Sequence, residues 1–174
     1  MKKIGLLITA LFALTAGSLF AQTSVDANVT ISAEIATALD ITVNQDLNFG
    51  LLTAEEDGYL STGADGEDSS QGIISGEQLG EIAITGADGE DILITFPGTV
   101  NLVRQSGTGN DLTYTPSLSY TLGTVQTSID SGVTNVELNG GSVDILIGGG
   151  VNSNGEASGT FEGTLQVEAA YVSI

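Results

Sequence analysis

The stretch VDANVTISAEIATALDITV, residues 25–43, places an apolar side chain at every odd position except Thr37. These are Val25, Ala27, Val29, Ile31, Ala33, Ile35, Leu39, Ile41 and Val43, while the even positions are mostly polar, from Asp26 and Asn28 through Glu34 to Asp40. A period of two puts one flank on a hydrophobic face and the other in water, the pattern of half-buried β-structure. At ~3.3 Å per residue the run would span roughly 60 Å, several times an ordinary strand. Either the chain turns within it or part of it pairs outside its own domain. The alternation lapses at Ala36, Thr37 and Ala38, so Ile41 to Leu51 is expected to belong to the folded domain. The polarity pattern leaves open whether the preceding segment pairs within that domain or with a neighbour.

Upstream, Met1 to Ala21 has the layout of a secretory leader. Lys2 and Lys3 make a charged start, Ile4 to Ala16 an apolar stretch, and Gly17 to Ala21 an approach to cleavage between Ala21 and Gln22. Ala16 to Ser18 offers a second cleavage position. No later apolar run is long enough to cross a bilayer as a helix. The expected organisation is a signal peptide at 1–21 followed by a single β-sandwich domain at 22–174, with a strand or extension over 23–37. The chain is expected to be exported, secreted or held at the cell surface.

Loss of the leader removes both lysines and makes the chain two units more negative than its formal −19, leaving 22 carboxylates, Arg104 as the only base, no histidine and no cysteine. That field repels nucleic acid and anionic lipid, so neither is an expected partner. Spread carboxylates also keep a Gly-rich, β-rich surface soluble. Without cysteine there are no disulfides, and without lysine there are no isopeptide links through lysine.

Further β-like segments are expected at Asp46–Leu51, Gly80–Ile84, Asp91–Phe96, Leu112–Leu122, Val133–Leu138, Val143–Ile147 and Gly159–Val172. Leu112, Tyr114, Leu118, Tyr120 and Leu122 keep one parity, as do Phe161, Leu165, Val167, Ala169 and Tyr171. Such spacing predicts an all-β fold, an immunoglobulin-like antiparallel β-sandwich. Leu138-Asn139-Gly140-Gly141-Ser142 carries the strongest hairpin signal, because Asn and Gly accept the positive φ of tight turns. An outer-membrane barrel would alternate too, but the chain has only 4 tyrosines, 5 phenylalanines and no tryptophan from which to build aromatic girdles.

Thr-Gly-Ala-Asp-Gly-Glu-Asp occurs twice, at Thr62–Asp68 and Thr85–Asp91. The second copy reads as a turn feeding a strand, and the first lies in a polar stretch, Glu55 to Gln71, expected to be a long exposed loop. Asp65, Glu67, Asp68, Asp88, Glu90 and Asp91 are the densest oxygen-ligand clusters, and calcium accepts six to eight such ligands from flexible loops. EF-hand spacing is absent, and solvated turns account for the same residues. No other cofactor is implied.

Enzymatic readings fare poorly. Without His or Cys there is no Ser-His-Asp triad, no thiolate nucleophile and no His-based zinc site. A carboxylate pair for glycoside hydrolysis would lack the tryptophan platforms that usually accompany it. The expected function is therefore not catalytic.

Asp46-Leu47-Asn48-Phe49-Gly50 after an alternating strand, Ile84-Thr85-Gly86-Ala87 followed by Ile92-Leu93-Ile94-Thr95-Phe96-Pro97, and Ser158 through Val167 with Tyr171 form a recognisable set. The set resembles a family of small secreted bacterial domains of unassigned function that are built like fimbrial subunits, with a distant likeness to spore coat protein U and chaperone-usher pilins. The resemblance implies a structural subunit of a surface fibre or extracellular matrix that self-associates with other copies or related subunits. In such assembly Val25, Ala27, Val29, Ile31, Ala33 and Ile35 would be the inserted face of a donated strand. A monomeric surface adhesin or calcium-dependent binding module is the alternative.

Overall fold

The structure is a computed structural model that describes residue 30 and residues 37–54, 56–64, 70–153 and 158–172. The leader, the alternating positions Val25 to Ile35, and Asp65, Glu67 and Asp68 lie outside the described residues. The fold is that of the compact unit Ile35–Ile174.

Thirteen strands follow one another with no α-helix among the described residues: β1 (Asp40–Gln45), β2 (Leu51–Leu52), β3 (Gly58–Leu60), β4 (Ile73–Ser75), β5 (Gly80–Thr85), β6 (Asp91–Thr95), β7 (Val100–Arg104), β8 (Leu112–Leu122), β9 (Val125–Ile129), β10 (Asn135–Glu137), β11 (Ser142–Asn152), β12 (Phe161–Glu162) and β13 (Glu168–Tyr171). Every pairing among them is antiparallel. The large sheet has the order β1-β5-β11-β8-β7-β12, with β3 also on β11 and β9 also on β8, and a smaller sheet has the order β10-β6-β13. The chain is thus all-β, as its alternation and turn spacing imply.

The long strands β8 and β11 form the spine, and both change partners at the same level. Along its other edge β11 pairs with β5 as far as Ile147 and with β3 from Gly149. Pro116 faces Gly149, and β8 pairs with β7 before it and with β9 after it. Proline has no N–H to offer a ladder, which suits a point where one partner leaves and the next arrives. Gly149 is at φ 125, and a Cβ there would come within 2.2 Å of the Thr115 carbonyl oxygen.

Parity decides which face is buried. Ile82, Ile84, Leu118, Tyr120, Ile145 and Ile147 of the large sheet meet Ile92, Ile94 and Val136 of the small one in a single core. Each fully buried Ile contributes ~1.5–3 kcal/mol, so this layer is the main source of stability. Leu165, Val167, Ala169 and Tyr171 pack against it from one parity of the last segment.

Several local expectations give way to tertiary structure. Asp46–Leu51 is not one strand: Asn48 Oδ1 accepts the Gly50 N–H at 2.8 Å, Gly50 turns at φ 67, and pairing is limited to a bridge between Asn48 and Gln78 and to Leu51, which opens β2 opposite Ser75. The glycines after Leu138 do adopt positive φ, but they do not close a hairpin, because β10 pairs with β6 while β11 pairs with β5 and β8. They carry the chain from the small sheet to the large one. Within Glu55–Gln71, β3 adds to the large sheet and Gly58, Leu60 and Thr62 are buried, so part of that stretch is framework rather than loop. β11 runs five residues past Ile147, and Gly159–Val172 is divided into β12 and β13 by an extended stretch, Gly163 to Val167. Strands β4, β7 and β9 fall where no strand was expected from pattern.

Candidate functional site

The small sheet covers only part of the large one. Inner-facing residues of neighbouring strands line up in rows, and one row runs Val43, Ile82, Ile145, Tyr120 across β1, β5, β11 and β8. Ile145 is fully buried and Ile82 is 4% exposed, yet Val43, next in the row, is 63% exposed. On β1 the cover reaches Ile41, which packs half-buried against the core, but not Val43.

A second core cluster, Leu112, Tyr114 and Val151, marks the other end of the same face. It is flanked by Leu47, Phe49 and Leu52 from one side and by Phe161 and Leu165 from the other, with no strand of the small sheet over it. Phe49 meets the Tyr114 ring edge-on at 5.6 Å between centroids, and the Tyr114 phenol donates to the Gly148 carbonyl at 2.6 Å. Burial pushes that phenol well above the ordinary tyrosine range.

Between these two flanks lies an elongated apolar groove of about 1210 Å³. One wall is β1 and the Asp46–Ala54 segment; the other is the Ser158–Val167 segment leading into β13. Both walls end in strand edges. Among the described residues β1 pairs only with β5, β13 only with β6, and Gly163–Val167 with no strand. Leu51, at 59% exposed, and Val43 present side chains into a space bounded by open backbone edges. An exposed edge beside an apolar trough is the arrangement that accepts an added strand: the backbone supplies hydrogen bonds and the trough takes alternate side chains.

The far wall is held in place by the loop after β7. Gln105 N–H donates to Thr160 O at 2.7 Å, and Thr108 and Ser158 exchange backbone bonds of 2.9 and 3.0 Å. Asp111 secures the base of that loop by accepting from the Arg104 N–H at 3.0 Å and the Asn101 amide at 3.3 Å, and those bonds hold its carboxyl below the ordinary aspartate range. Arg104 Nη1 donates to the Gly107 carbonyl at 2.9 Å on the exposed surface.

At the opposite end two sheet-crossing corners interlock. Asp88 Oδ1 accepts the Gly140 N–H at 2.7 Å, Gly89 N–H donates to Leu138 O at 2.9 Å, and Gly86 N–H donates to Gly141 O at 3.0 Å. The second acidic copy therefore serves this junction: Asp88 caps the neighbouring corner and Asp91 starts β6. Asp65, Glu67 and Asp68 lie outside the described residues, and no group of three or more acidic side chains is poised around one point among the described residues. Tyr171 ties the same corner to the chain's entry, accepting the Ala87 N–H at 2.7 Å and donating to the Thr37 carbonyl at 2.5 Å.

Sequence parity identified the apolar residues of both walls but not that they stay partly uncovered. No curated protein matches the chain. Residues 39–171, from the lead into β1 to the end of β13, match the family model described as "Domain of unknown function (DUF4402)". The chain belongs to that DUF4402 family.

Proposed function

We propose that this chain is a non-enzymatic structural subunit of a fimbria-like fibre or extracellular matrix, exported through its cleaved leader and assembled at the cell surface by strand addition into the groove. The observation that carries this reading is the uncovered row end at Val43: an inner-face valine, 63% exposed beside Ile82 at 4%, in an apolar groove whose two walls end in open strand edges. A self-sufficient sandwich would cover that face, because each exposed apolar side chain forgoes ~1.5–3 kcal/mol and an open edge invites unwanted pairing. The alternating segment Val25–Ile35 just upstream has the polarity that such a groove accepts. Likeness to fimbrial subunits, spore coat protein U and chaperone-usher pilins points the same way.

Electron microscopy and size-exclusion chromatography of the exported chain test this. Fibres or a polydisperse ladder are expected. A monomer that stays monodisperse as its concentration is raised overturns the reading.

A further inference from the structure

We infer that Asn139–Gly140 is a guarded deamidation site: the dipeptide has the residues for succinimide formation, and the Asp88 carboxylate prevents it by holding the N–H that the reaction consumes. Two motifs that the groove leaves unused, the Asn-Gly turn and the second acidic repeat, meet there. The inference is independent of what fills the groove.

In an Asn-Gly pair the glycine nitrogen attacks the carbonyl carbon of the asparagine side chain. An N–C bond forms, the nitrogen gives up its proton, and the bond from that carbon to the side-chain nitrogen breaks to release ammonia. Water then opens the cyclic imide at either carbonyl, giving aspartate or isoaspartate, the latter with a methylene added to the backbone. Water is the only co-reactant. The attack needs a nitrogen free to lose its proton and a peptide free to rotate, and glycine, with no Cβ, allows that rotation most readily. The sequence has two such pairs, Asn139–Gly140 and Asn154–Gly155, the second outside the described residues.

The fold withholds both conditions at Asn139–Gly140. These are the middle residues of a turn closed by the Gly141 N–H to Leu138 O at 3.2 Å, with Gly140 at φ 72. Asp88 and Gly89 are the middle residues of a matching turn, closed by the Glu90 N–H to Ala87 O at 3.4 Å, with Gly89 at φ 77. Each glycine N–H is taken by the opposite turn: Gly140 donates to Asp88 Oδ1 at 2.7 Å and Gly89 to Leu138 O at 2.9 Å. The Gly140 proton is thus committed to a carboxylate. Bonds from the Leu138 N–H to Glu90 O and from the Gly86 N–H to Gly141 O, at 2.9 and 3.0 Å, hold the peptide against rotation. Burial gives the pair no shelter, because Asn139 and Gly140 are exposed and a Cβ built on Gly140 meets no atom within 4 Å. Protection therefore comes from hydrogen bonding, and the reaction proceeds only through chains in which this corner is locally open. An isoaspartate would lengthen the chain between Leu138 O and Gly140 N, putting these two atoms out of step with Gly89 and Asp88.

The test is timed deamidation of the full chain, folded and held well below its melting temperature in mildly alkaline buffer. Cleavage after Glu137 and Asp144 by an acid-specific protease releases Leu138–Asp144 for mass spectrometry, and Asn154–Gly155 serves as the internal standard for rates. Asn139 should deamidate far more slowly than in the same chain unfolded in urea. Asp88→Ala, with its folded spectrum kept, should speed the reaction about fivefold, the change in the open fraction that one lost hydrogen bond produces. Ser131→Ala controls for general loosening. It removes the bonds that Ser131 Oγ makes with the Phe96 N–H and carbonyl, at 2.8 and 2.6 Å, beyond the end of β6 that lies away from Glu90. Both turns are left alone, so Asn139 should keep the parent rate. An Asp88→Ala chain no faster than the parent overturns the inference. Equal acceleration in Ser131→Ala overturns it too, as does a folded parent that deamidates at Asn139 as fast as the unfolded chain.

Discussion

The Tyr171 phenol donates a 2.5 Å hydrogen bond to the carbonyl of Thr37, which joins the last strand to the point where the chain enters the domain. Because the same oxygen accepts the Ala87 N–H at 2.7 Å, Tyr171→Phe leaves both backbone groups without this partner. The cost is about 1–3 kcal/mol where such groups are left unsatisfied. Thermal unfolding followed by circular dichroism should fall by several degrees, with the folded spectrum kept. An unchanged melting temperature would mean that the anchor does not hold the entry.

Gly149 and Gly98 separate backbone strain from the loss of glycine as such. Gly149 lies mid-strand at φ 125 with the Thr115 carbonyl oxygen 2.2 Å from a built Cβ, whereas Gly98 has open space and no positive φ. Gly149→Ala should destabilise by about 3 kcal/mol or more, combining ~1–3 kcal/mol of backbone strain with the clash. Gly98→Ala should be neutral, or stabilising by about 0.4–1 kcal/mol, through the unfolded chain. Equal denaturant midpoints for the two variants would contradict the strain assigned to Gly149.

Asp88 has a structural task that owes nothing to an ion. Its carboxylate caps the Gly140 N–H across the two sheet-crossing corners. Asp88→Ala should lower stability by about 1 kcal/mol, the usual scale of one such bond to an exposed group. The loss should be the same in calcium and in chelator. A loss seen only with calcium would reassign the second acidic copy to ion binding.

Tyr114 makes the fold sensitive to alkali. Burial favours its neutral form, so its pKa is higher folded than unfolded. The stability drawn from this difference is fully present below about pH 10, the ordinary tyrosine value, and is lost as pH rises beyond it. Ultraviolet titration should show one phenol that stays un-ionised until the protein unfolds. Tyr114→Phe should flatten the fall in melting temperature above about pH 10, at the expense of the bond to Gly148.

The strands carrying the core were legible wherever burial followed strict parity. β8 was read to the residue from Leu112 to Leu122, and the inward set Phe161, Leu165, Val167, Ala169 and Tyr171 kept its parity even where the ladder breaks at Gly163. What escaped was pairing over distance. The glycines after Leu138 have the φ values of a hairpin, but Ile92 and Leu93 claim Val136 and Asn135 for the small sheet, so the turn becomes a crossing. β3 was hidden because its Gly-Tyr-Leu lies among acids and glycines, and its partners, the edge of β11 beyond Gly148 and a bridge from Tyr59 to Gln71, leave no mark in its own pattern. The groove was half legible: Ile41, Val43, Leu47, Phe49 and Leu51 keep one odd parity, but a pattern of side chains records what could be buried and not what covers it.

Val43 brings fold and assembly to one test. It sits opposite Ile82 in the β1–β5 ladder, 63% exposed against 4%. Val43→Asp places a charge on the groove wall in a position already open to water, so the isolated domain should lose no more than about 0.5 kcal/mol. Ile82→Ala, one strand inward, should cost about 2–5 kcal/mol by leaving a cavity. Assembly should respond in the opposite order. Val43→Asp forces an incoming apolar strand to desolvate a carboxylate, an expense its side chains cannot repay, so fibres should disappear while the melting curve hardly moves. Ile82→Ala should still polymerise below its lowered melting temperature, because the groove wall is intact. If Val43→Asp instead unfolds the domain as severely as Ile82→Ala, the chain itself covers Val43 in solution, and the groove is closed by its own residues rather than by a neighbour's.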